Sequence, residues 1–363
     1  MGHEVKVLSL IAIGKRDHSR RRFRIGWYEE TIDGIAHFYL RYASFSKFGR
    51  HWFNEISARR SVAYCIKKFT EWRPDVIQAH TLGLDSEVGG YLKAKLGCPM
   101  VVTTHGSDTS IPFEQGRIQE LKATCDKADQ LVAVSSTLAE KLRKSGTTTP
   151  ITTILNGYRG IYLRSDLEKD PWSLLQVGHL QRQKRVHITL QALAEVRKGY
   201  PAMHMTVIGQ GPERSALETL CRELKIADAV SFLGEIPNKE VLTQMAQHRF
   251  FVMPSVREGF GIVYLEAMAS GCITIGTAGE GIADFIKDGM NGFLVAPDRP
   301  DLIAQRICWC LEHPEEADRI ARQGRQDAAE QTWEKNARDY LALFEEWKGK
   351  YNHDGKTEAG LEE

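Results

Sequence analysis

The stretch PSVREGFGIVYLEAMASG, residues 254–271, follows the apolar run FFVM and leads through two closely spaced glycines into a helical pattern. Gly259 and Gly261 allow the backbone to approach a ligand closely. A helix that begins near Ile262, with Val263 in its first turn, directs free N–H groups and the positive end of its dipole toward the same place. Strand, glycine loop and helix together predict a phosphate-binding turn of an α/β fold.

Two glutamates flank this loop. Glu258 precedes the first glycine, and Glu266 lies about one turn into the helix, so the two carboxylates face one ligand from opposite ends. Carboxylates accept hydrogen bonds from hydroxyl groups, which makes a sugar ring and a ribose the expected partners. The segment therefore predicts a site for a nucleotide sugar.

Two more glycine turns follow predicted strands in the second half of the chain. Gly178 ends the run SLLQV, and Gly209 ends the run HMTVI. The Gly209 turn matches the dinucleotide pattern GxGxxG only in part, because Arg214 stands where the third glycine would be. The turn at Gly178 is followed by the basic residues His179, Arg182, Lys184 and Arg185. Cations beside a turn of this kind can neutralise a diphosphate. Turns at the carboxyl ends of neighbouring parallel strands point to one crevice.

Apolar runs typical of strands alternate with helical patterns along most of the 363 residues. This alternation predicts an α/β protein with two doubly wound parallel-sheet domains. The pattern breaks over 156–172. We therefore predict an N-terminal Rossmann-like domain over 1–160, a second over 161–331, and a closing helix with a loose tail over 332–363.

The composition is that of a folded globular protein, with 42% hydrophobic and 26% charged residues. The seven cysteines are scattered, without CxxC pairs or histidine clusters at metal-ligand spacing, which predicts reduced structural thiols and no metal site. No signal peptide or spanning run of about 18 apolar residues is present. The cytoplasm is the expected location.

The region from Lys15 to Arg73 is basic, with 14 Lys and Arg against 6 Asp and Glu, and several Phe and Trp residues are interleaved. Such a surface suits an anionic membrane or a phosphorylated lipid carrier, because charge attraction and shallow aromatic insertion act together. A merely solvated basic face is the alternative. The net charge of +1 argues against nucleic acid as a partner.

His105 lies in the segment THGSD directly after the predicted strand MVVTT. Its imidazole is expected at the edge of the first domain's sheet, where it can reach a ligand hydroxyl or carbonyl.

Together these residues resemble the retaining glycosyltransferases of family 4, which have the GT-B fold of two Rossmann-like domains facing across a cleft. The resemblance runs from about Val5 to about Lys348, and its specific part is the pair of glutamates within EGFGIVYLEAMASG. It implies transfer of a hexose-type sugar from a UDP- or GDP-sugar to a glycan or lipid-linked acceptor, without a metal or other cofactor. The absence of a DxD motif agrees with metal-independent transfer.

The resemblance also assigns roles to residues. Glu258 would hold donor sugar hydroxyls and Glu266 the ribose hydroxyls, while Gly259, Phe260 and Gly261 would present backbone amides to sugar and phosphate. Lys184 would bind the diphosphate, and His105 would lie beside the reacting sugar. The predicted catalytic residues are thus His105, Lys184 and Glu258; the donor-binding residues are Gly178, His179, Arg182, Gly209, Gly259, Phe260, Gly261, Ile262, Val263 and Glu266.

The chain departs from the family pattern in two places. His179 stands where many members have an arginine, so the second phosphate contact passes to Arg182 or Arg185. Family members also usually begin with a strand, a glycine loop and a helix that precede a segment like GHEVKVL, residues 2–8. We therefore expect a truncated first domain or a late start codon, which in-frame upstream codons for that unit would support.

Three other functions remain open on the sequence. A UDP-sugar 2-epimerase would use the same kind of fold without an acceptor. A truncated homologue would bind the nucleotide sugar without catalysing transfer. A nicotinamide oxidoreductase is the third, and the incomplete glycine pattern argues against it.

Changing Arg20, Arg21, Arg22 and Arg24 together to Ser is expected to weaken binding to anionic vesicles, because it removes four positive charges from the basic region. Co-sedimentation with vesicles that contain an anionic phospholipid measures the effect. Binding equal to that of the unchanged chain would remove the argument for a membrane surface.

Overall fold

The structure is a computed structural model, and it describes residues 2–13, 26–43, 71–160 and 168–354, together with 56, 59, 60, 62, 63 and 66. Contacts divide the chain into two compact units. Unit 1 comprises Met1–Val132, Lys141–Thr152 and Ala342–Glu363, and unit 2 comprises Ala133–Glu140 and Thr153–Leu341. The arginines at 20–24 and most of the basic region lie outside the described residues.

Unit 1 contains a three-stranded sheet of β1 (Lys6–Ile13), β2 (Gly26–Ile32) and β3 (Ile35–Ala43) in the order β1-β3-β2. β1 is parallel to β3, and β2 is antiparallel to β3. Asp33 and Gly34 form the turn of this hairpin with positive φ angles of 51° and 79°. The predicted α/β fold holds, and this sheet adds an antiparallel strand that the sequence analysis did not predict, although Asp-Gly between two strand-like runs is a strong hairpin signal.

A second sheet, in the order β4-β5-β6-β7, follows along the chain. Its strands are β4 (Ile77–His80), β5 (Met100–Thr104), β6 (Gln130–Ala133) and β7 (Ile151–Thr153). β5 and β6 are fully buried and rich in Val, as expected of strands covered on both faces. The helices in this part of the chain are α1 (Leu84–Leu96), α2 (Ser107–Glu114), α3 (Ile118–Cys125) and α4 (Ser136–Lys144).

Unit 2 is built on a six-stranded sheet in the order β10-β9-β8-β11-β12-β13, and each neighbouring pair is parallel. The strands are β8 (Asp170–Val177), β9 (His204–Ile208), β10 (Val230–Gly234), β11 (His248–Val252), β12 (Ile273–Thr277) and β13 (Phe293–Val295). The strand order reverses between β8 and β11, and the crevice outside their carboxyl ends is where such sheets bind ligands.

Helices connect these strands, and apolar side chains from both elements form one core. The connecting helices are α5 (Val186–Val196), α6 (Arg214–Glu223), α7 (Asn238–Gln247) and α8 (Ile262–Ala269); after β13 follow α9 (Pro300–Glu312), α10 (Pro314–Glu330) and α11 (Trp333–Asp354), of which 342–354 belong to unit 1. Leu174, Phe250 and Ile275 of the strands and Leu190 of α5 are fully buried. Among the described residues, no helix is long and apolar enough to cross a bilayer.

The start of α11 is tied to the segment before β8. Tyr158 N–H donates to the carbonyl of Gln331 at 3.1 Å, and Trp333 N–H donates to the carbonyl of Tyr158 at 3.3 Å. A Cβ at the neighbouring Gly157 would lie 2.3 Å from the carbonyl carbon of Thr332. The side chain must therefore be absent for the two backbones to come this close.

Gly157→Ala is expected to destabilise the protein by about 1–3 kcal/mol, because backbone must shift to admit the methyl group. Thermal unfolding measures the effect. Gly160→Ala is the matched control, since its Cβ would meet only the Tyr158 hydroxyl at 3.9 Å. Equal melting temperatures for the two variants would contradict the role assigned to Gly157.

Candidate functional site in unit 2

The glycine turns after β8 and β9 lie against each other. Gly178 N–H donates to the Ile208 carbonyl at 2.9 Å, and Leu180 N–H donates to the Gln210 carbonyl at 2.8 Å. A Cβ at Gly209, where φ is +132°, would lie 2.0 Å from the carbonyl oxygen of Gly178. Gly209 is thus required by contact between the turns, and its predicted contact with the donor stays a prediction.

The loop before α8 is also held by close contact with a neighbouring turn, the one that follows β12. Gly261 precedes the first residue of α8 with a φ of +82°. A Cβ at Gly281, which follows β12, would lie 1.9 Å from the carbonyl oxygen of Gly259. Glu280 Oε2 accepts the Glu258 N–H at 2.9 Å. The turn after β12 therefore fixes the shape of the loop that leads into α8.

Lys184 and Glu258, predicted from separate motifs, are in contact. Lys184 Nζ lies 2.5 Å from Glu258 Oε2, and each side chain is 18% exposed. The Lys184 side chain also lies over the turn after β8, because a Cβ at Gly178 would meet its Cε at 3.6 Å. Val256 N–H donates to the carbonyl of Gln183 at 2.9 Å and joins the short 182–184 helix to the loop. The ammonium group of Lys184 and the carboxylate of Glu258 thus lie between the turn after β8 and the loop before α8.

The remaining predicted donor residues differ in exposure. His179 and Arg182 are exposed, whereas Ile262 and Val263 are half-buried in the first turn of α8. The side chain of Phe260 is 1% exposed and belongs to the core, so only its backbone is available to a ligand. Arg185 is held by Asp298, with Nε 2.9 Å from Oδ1. Of the two arginines that the sequence left open for the phosphate contact, Arg182 is the more accessible.

Glu266 is half-buried on α8, and burial raises the pKa of its carboxyl above the ordinary range. The raised pKa means that ionised Glu266 gains from any donor of hydrogen bonds that approaches it. A ribose with two hydroxyl groups is such a donor.

Sequence reasoning missed Glu280, Gly281 and Tyr264. Tyr264 is fully buried and donates its hydroxyl to the carbonyl of Met253 at the end of β11. The segment GTAGEG after β12 carries the same signal, a glycine turn at the end of a buried strand, that identified the other turns.

His105 lies in unit 1, directly after β5. Asp108 accepts the His105 N–H at 3.1 Å and the Gly106 N–H at 2.9 Å, which holds this turn in place. His105 Nε2 lies 3.0 Å from Nδ1 of His80, a residue that the sequence analysis did not single out. Loss of hydration in this surrounding lowers the pKa of both histidines, although the negative charge of Asp108 opposes the shift at His105.

Two family models match the chain in succession. Residues 1–159 match the model described as Glycosyltransferase Family 4, and residues 163–327 match the model described as Glycosyl transferases group 1. The two matches meet near the predicted junction and together leave out residues 160–162 and the residues from 328 onward.

Curated relatives and solved structures agree with these matches. The chain is 27% identical over 267 residues to glycogen synthase of Mycobacterium tuberculosis, which is 70% of this chain and 64% of that protein. It is 34% identical over 175 residues to D-inositol 3-phosphate glycosyltransferase of Corynebacterium urealyticum, which is 46% of this chain and 41% of that protein. The chain thus spans less than two thirds of these relatives.

Among solved structures, sucrose-phosphate synthase from Thermosynechococcus elongatus superposes with a TM-score of 0.73 at 21% identity, covering 87% of this chain and 84% of that one. Anabaena Alr3699/HepE in complex with UDP superposes with a TM-score of 0.70 at 19% identity, covering 85% and 86%. At this identity the likeness shows the fold. Together, the two family models and the shared fold show that the chain belongs to the glycosyltransferases of family 4, with the GT-B fold.

Proposed function

We propose that the protein transfers a hexose-type sugar from a nucleotide-sugar donor to an acceptor with retention of configuration. The observation that carries the proposal is the contact of Lys184 with Glu258 at the loop before α8. One cation for a diphosphate and one carboxylate for sugar hydroxyls meet there, beside a helix N-terminus.

In this reaction the diphosphate is the leaving group, and negative charge increases on it as its bond to the sugar breaks. Lys184 and the free N–H groups at the start of α8 stabilise that charge from fixed positions. Glu258 accepts hydrogen bonds from the donor sugar, and Glu266 accepts them from the ribose. By family resemblance His105 contacts the reacting sugar. We propose that transfer needs no metal, since these groups supply the positive charge.

We propose UDP as the first nucleotide to test, because solved relatives were obtained with UDP and with UDP-glucose. The acceptor is proposed to be a glycan or lipid-linked precursor. The named relatives act on a polysaccharide and on a phosphorylated polyol, so the family resemblance supports a carbohydrate-like acceptor without naming it. Contact with an anionic membrane stays a proposal that the vesicle experiment tests.

Glu266→Ala and Lys184→Ala are each expected to abolish or strongly weaken the binding of one nucleotide. Each removes a charged group that binds the donor, and such groups contribute about 1.5–3 kcal/mol per hydrogen bond. Calorimetric titration with UDP, GDP and ADP and their glucose conjugates measures the affinity of each variant. Titrations with and without EDTA show whether binding needs a metal ion.

Glu223→Ala and Lys198→Ala serve as controls for this titration, because both residues are exposed and lie on other parts of unit 2. The controls should bind as the unchanged chain does. Failure of the folded, unchanged chain to bind any of these nucleotides would overturn the proposed donor site. Binding with interconversion of the donor sugar, and no acceptor required, would favour the 2-epimerase.

The affinity for UDP-glucose is expected to fall with decreasing pH, and to begin falling at a higher pH than an ordinary glutamate would give. The raised pKa of Glu266 is the reason: its carboxyl takes up a proton earlier as pH falls, and the protonated form is a poorer acceptor for ribose hydroxyls. UDP-glucose is used because its diphosphate is a diester and stays ionised throughout. Glu266→Gln should bind more weakly and lose this part of the pH dependence, and an unchanged pH dependence would contradict the assignment.

A further inference from the structure

A pair of histidines lies at the end of two neighbouring strands in unit 1. His80 is the last residue of β4, and His105 follows the last residue of β5, which is parallel to β4. His80 Nδ1 and His105 Nε2 are 3.0 Å apart, with ring planes inclined by 20°. A neutral imidazole has one N–H and one lone pair, so one ring must donate and the other must accept.

The charges around the pair decide which ring donates. Asp108 favours positive charge on His105. Its other carboxylate oxygen accepts the Leu82 N–H at 3.0 Å, so the carboxylate is fixed between the loops that follow β4 and β5. Loss of hydration lowers the pKa of His80, and positive charge on His105 lowers it further. When the pair takes up one proton, His105 is therefore the ring that carries it, and its Nε2–H is then the donor to His80 Nδ1.

Two more titratable groups lie close to this cluster. Asp85, on α1, accepts the Thr81 hydroxyl at 2.8 Å and has its pKa raised by burial. Tyr42, on β3, has its pKa raised by burial and by Asp85, and is neutral at physiological pH.

We propose that His80 is a positioning residue for His105, with His80 Nδ1 accepting the Nε2–H of His105. This contact holds His105 in one orientation and one tautomer, and leaves His105 Nδ1 as the nitrogen that accepts a hydrogen bond when neutral and donates one when protonated. Its importance for transfer rests on the proposed function, in which His105 contacts the reacting sugar. The hydrogen bond between the two histidines does not depend on that function.

Nitrogen-15 NMR of the whole chain with labelled histidine tests the tautomer. Signals of the pair are assigned by their loss in His80→Phe and His105→Gln. In the unchanged chain, neutral His105 should carry its proton on Nε2. In His80→Phe the tautomers should mix, and the pKa of His105 should fall because its imidazolium loses an acceptor. A proton on Nδ1 of His105, or a spectrum of His105 that is unchanged in His80→Phe, would overturn the inference.

His80→Asn is the rescuing variant, because the asparagine side-chain oxygen can take the place of Nδ1 as acceptor while carrying no titrating group. It should restore the Nε2 tautomer of His105. Turnover of UDP-glucose, followed as UDP release with water as the acceptor, should fall about 10-fold in His80→Phe with little change in KM for the donor, and recover in His80→Asn.

His37→Phe, the same substitution on β3 of the same unit, is the matched control and should resemble the unchanged chain. Equal losses in His80→Phe and His80→Asn would mean a merely structural role and would overturn the inference. If the unchanged chain transfers no sugar from any donor, the proposed function fails, while the NMR measurement still decides the role of His80.

Discussion

The candidate donor site depends on how closely the turns at the carboxyl edge of the unit 2 sheet approach one another. Side chains at Gly209 and Gly281 would lie 2.0 Å and 1.9 Å from carbonyl oxygens of the neighbouring turns. No side chain can occupy such a space, so only glycine permits these contacts. Since parallel strands all end on the same edge, close packing of their turns brings backbone N–H groups and Lys184 into one small region.

Within that region the charges are balanced before any ligand arrives. Lys184 and Glu258 are both largely withdrawn from water, and each would be costly to bury without the other. In the proposed function a diphosphate takes over the contact with the lysine and sugar hydroxyls take over the contact with Glu258, so that neither charge is left buried without a partner. In that proposal the contact links neutralisation of the leaving group with recognition of the sugar.

In unit 1 a pair of histidines lies at the carboxyl edge of a parallel sheet. The ends of β4 and β5 bring two imidazoles and one carboxylate together, and Asp108 fixes the backbone of both loops through three N–H groups. A histidine that acts on a ligand needs a defined tautomer, and a neighbouring acceptor is the usual means of defining it. The geometry of the pair follows from the parallel pairing of the strands that carry it.

The sequence by itself determined the α/β class, the buried strands β8, β9 and β11 of unit 2, and the turns at Gly178, Gly209 and Gly259. These features are local: a buried strand, a glycine and a helix start can be recognised within some twenty residues. The hairpin of β2 and β3 was also encoded locally, in Asp33 and Gly34, but was overlooked. Tertiary structure alone decided that Lys184 contacts Glu258, that Glu280 and Gly281 shape the loop, and that His80 reaches His105. These pairs are 74, 22 and 25 positions apart. Their contacts arise from the order of strands in a sheet, which no short stretch of sequence contains.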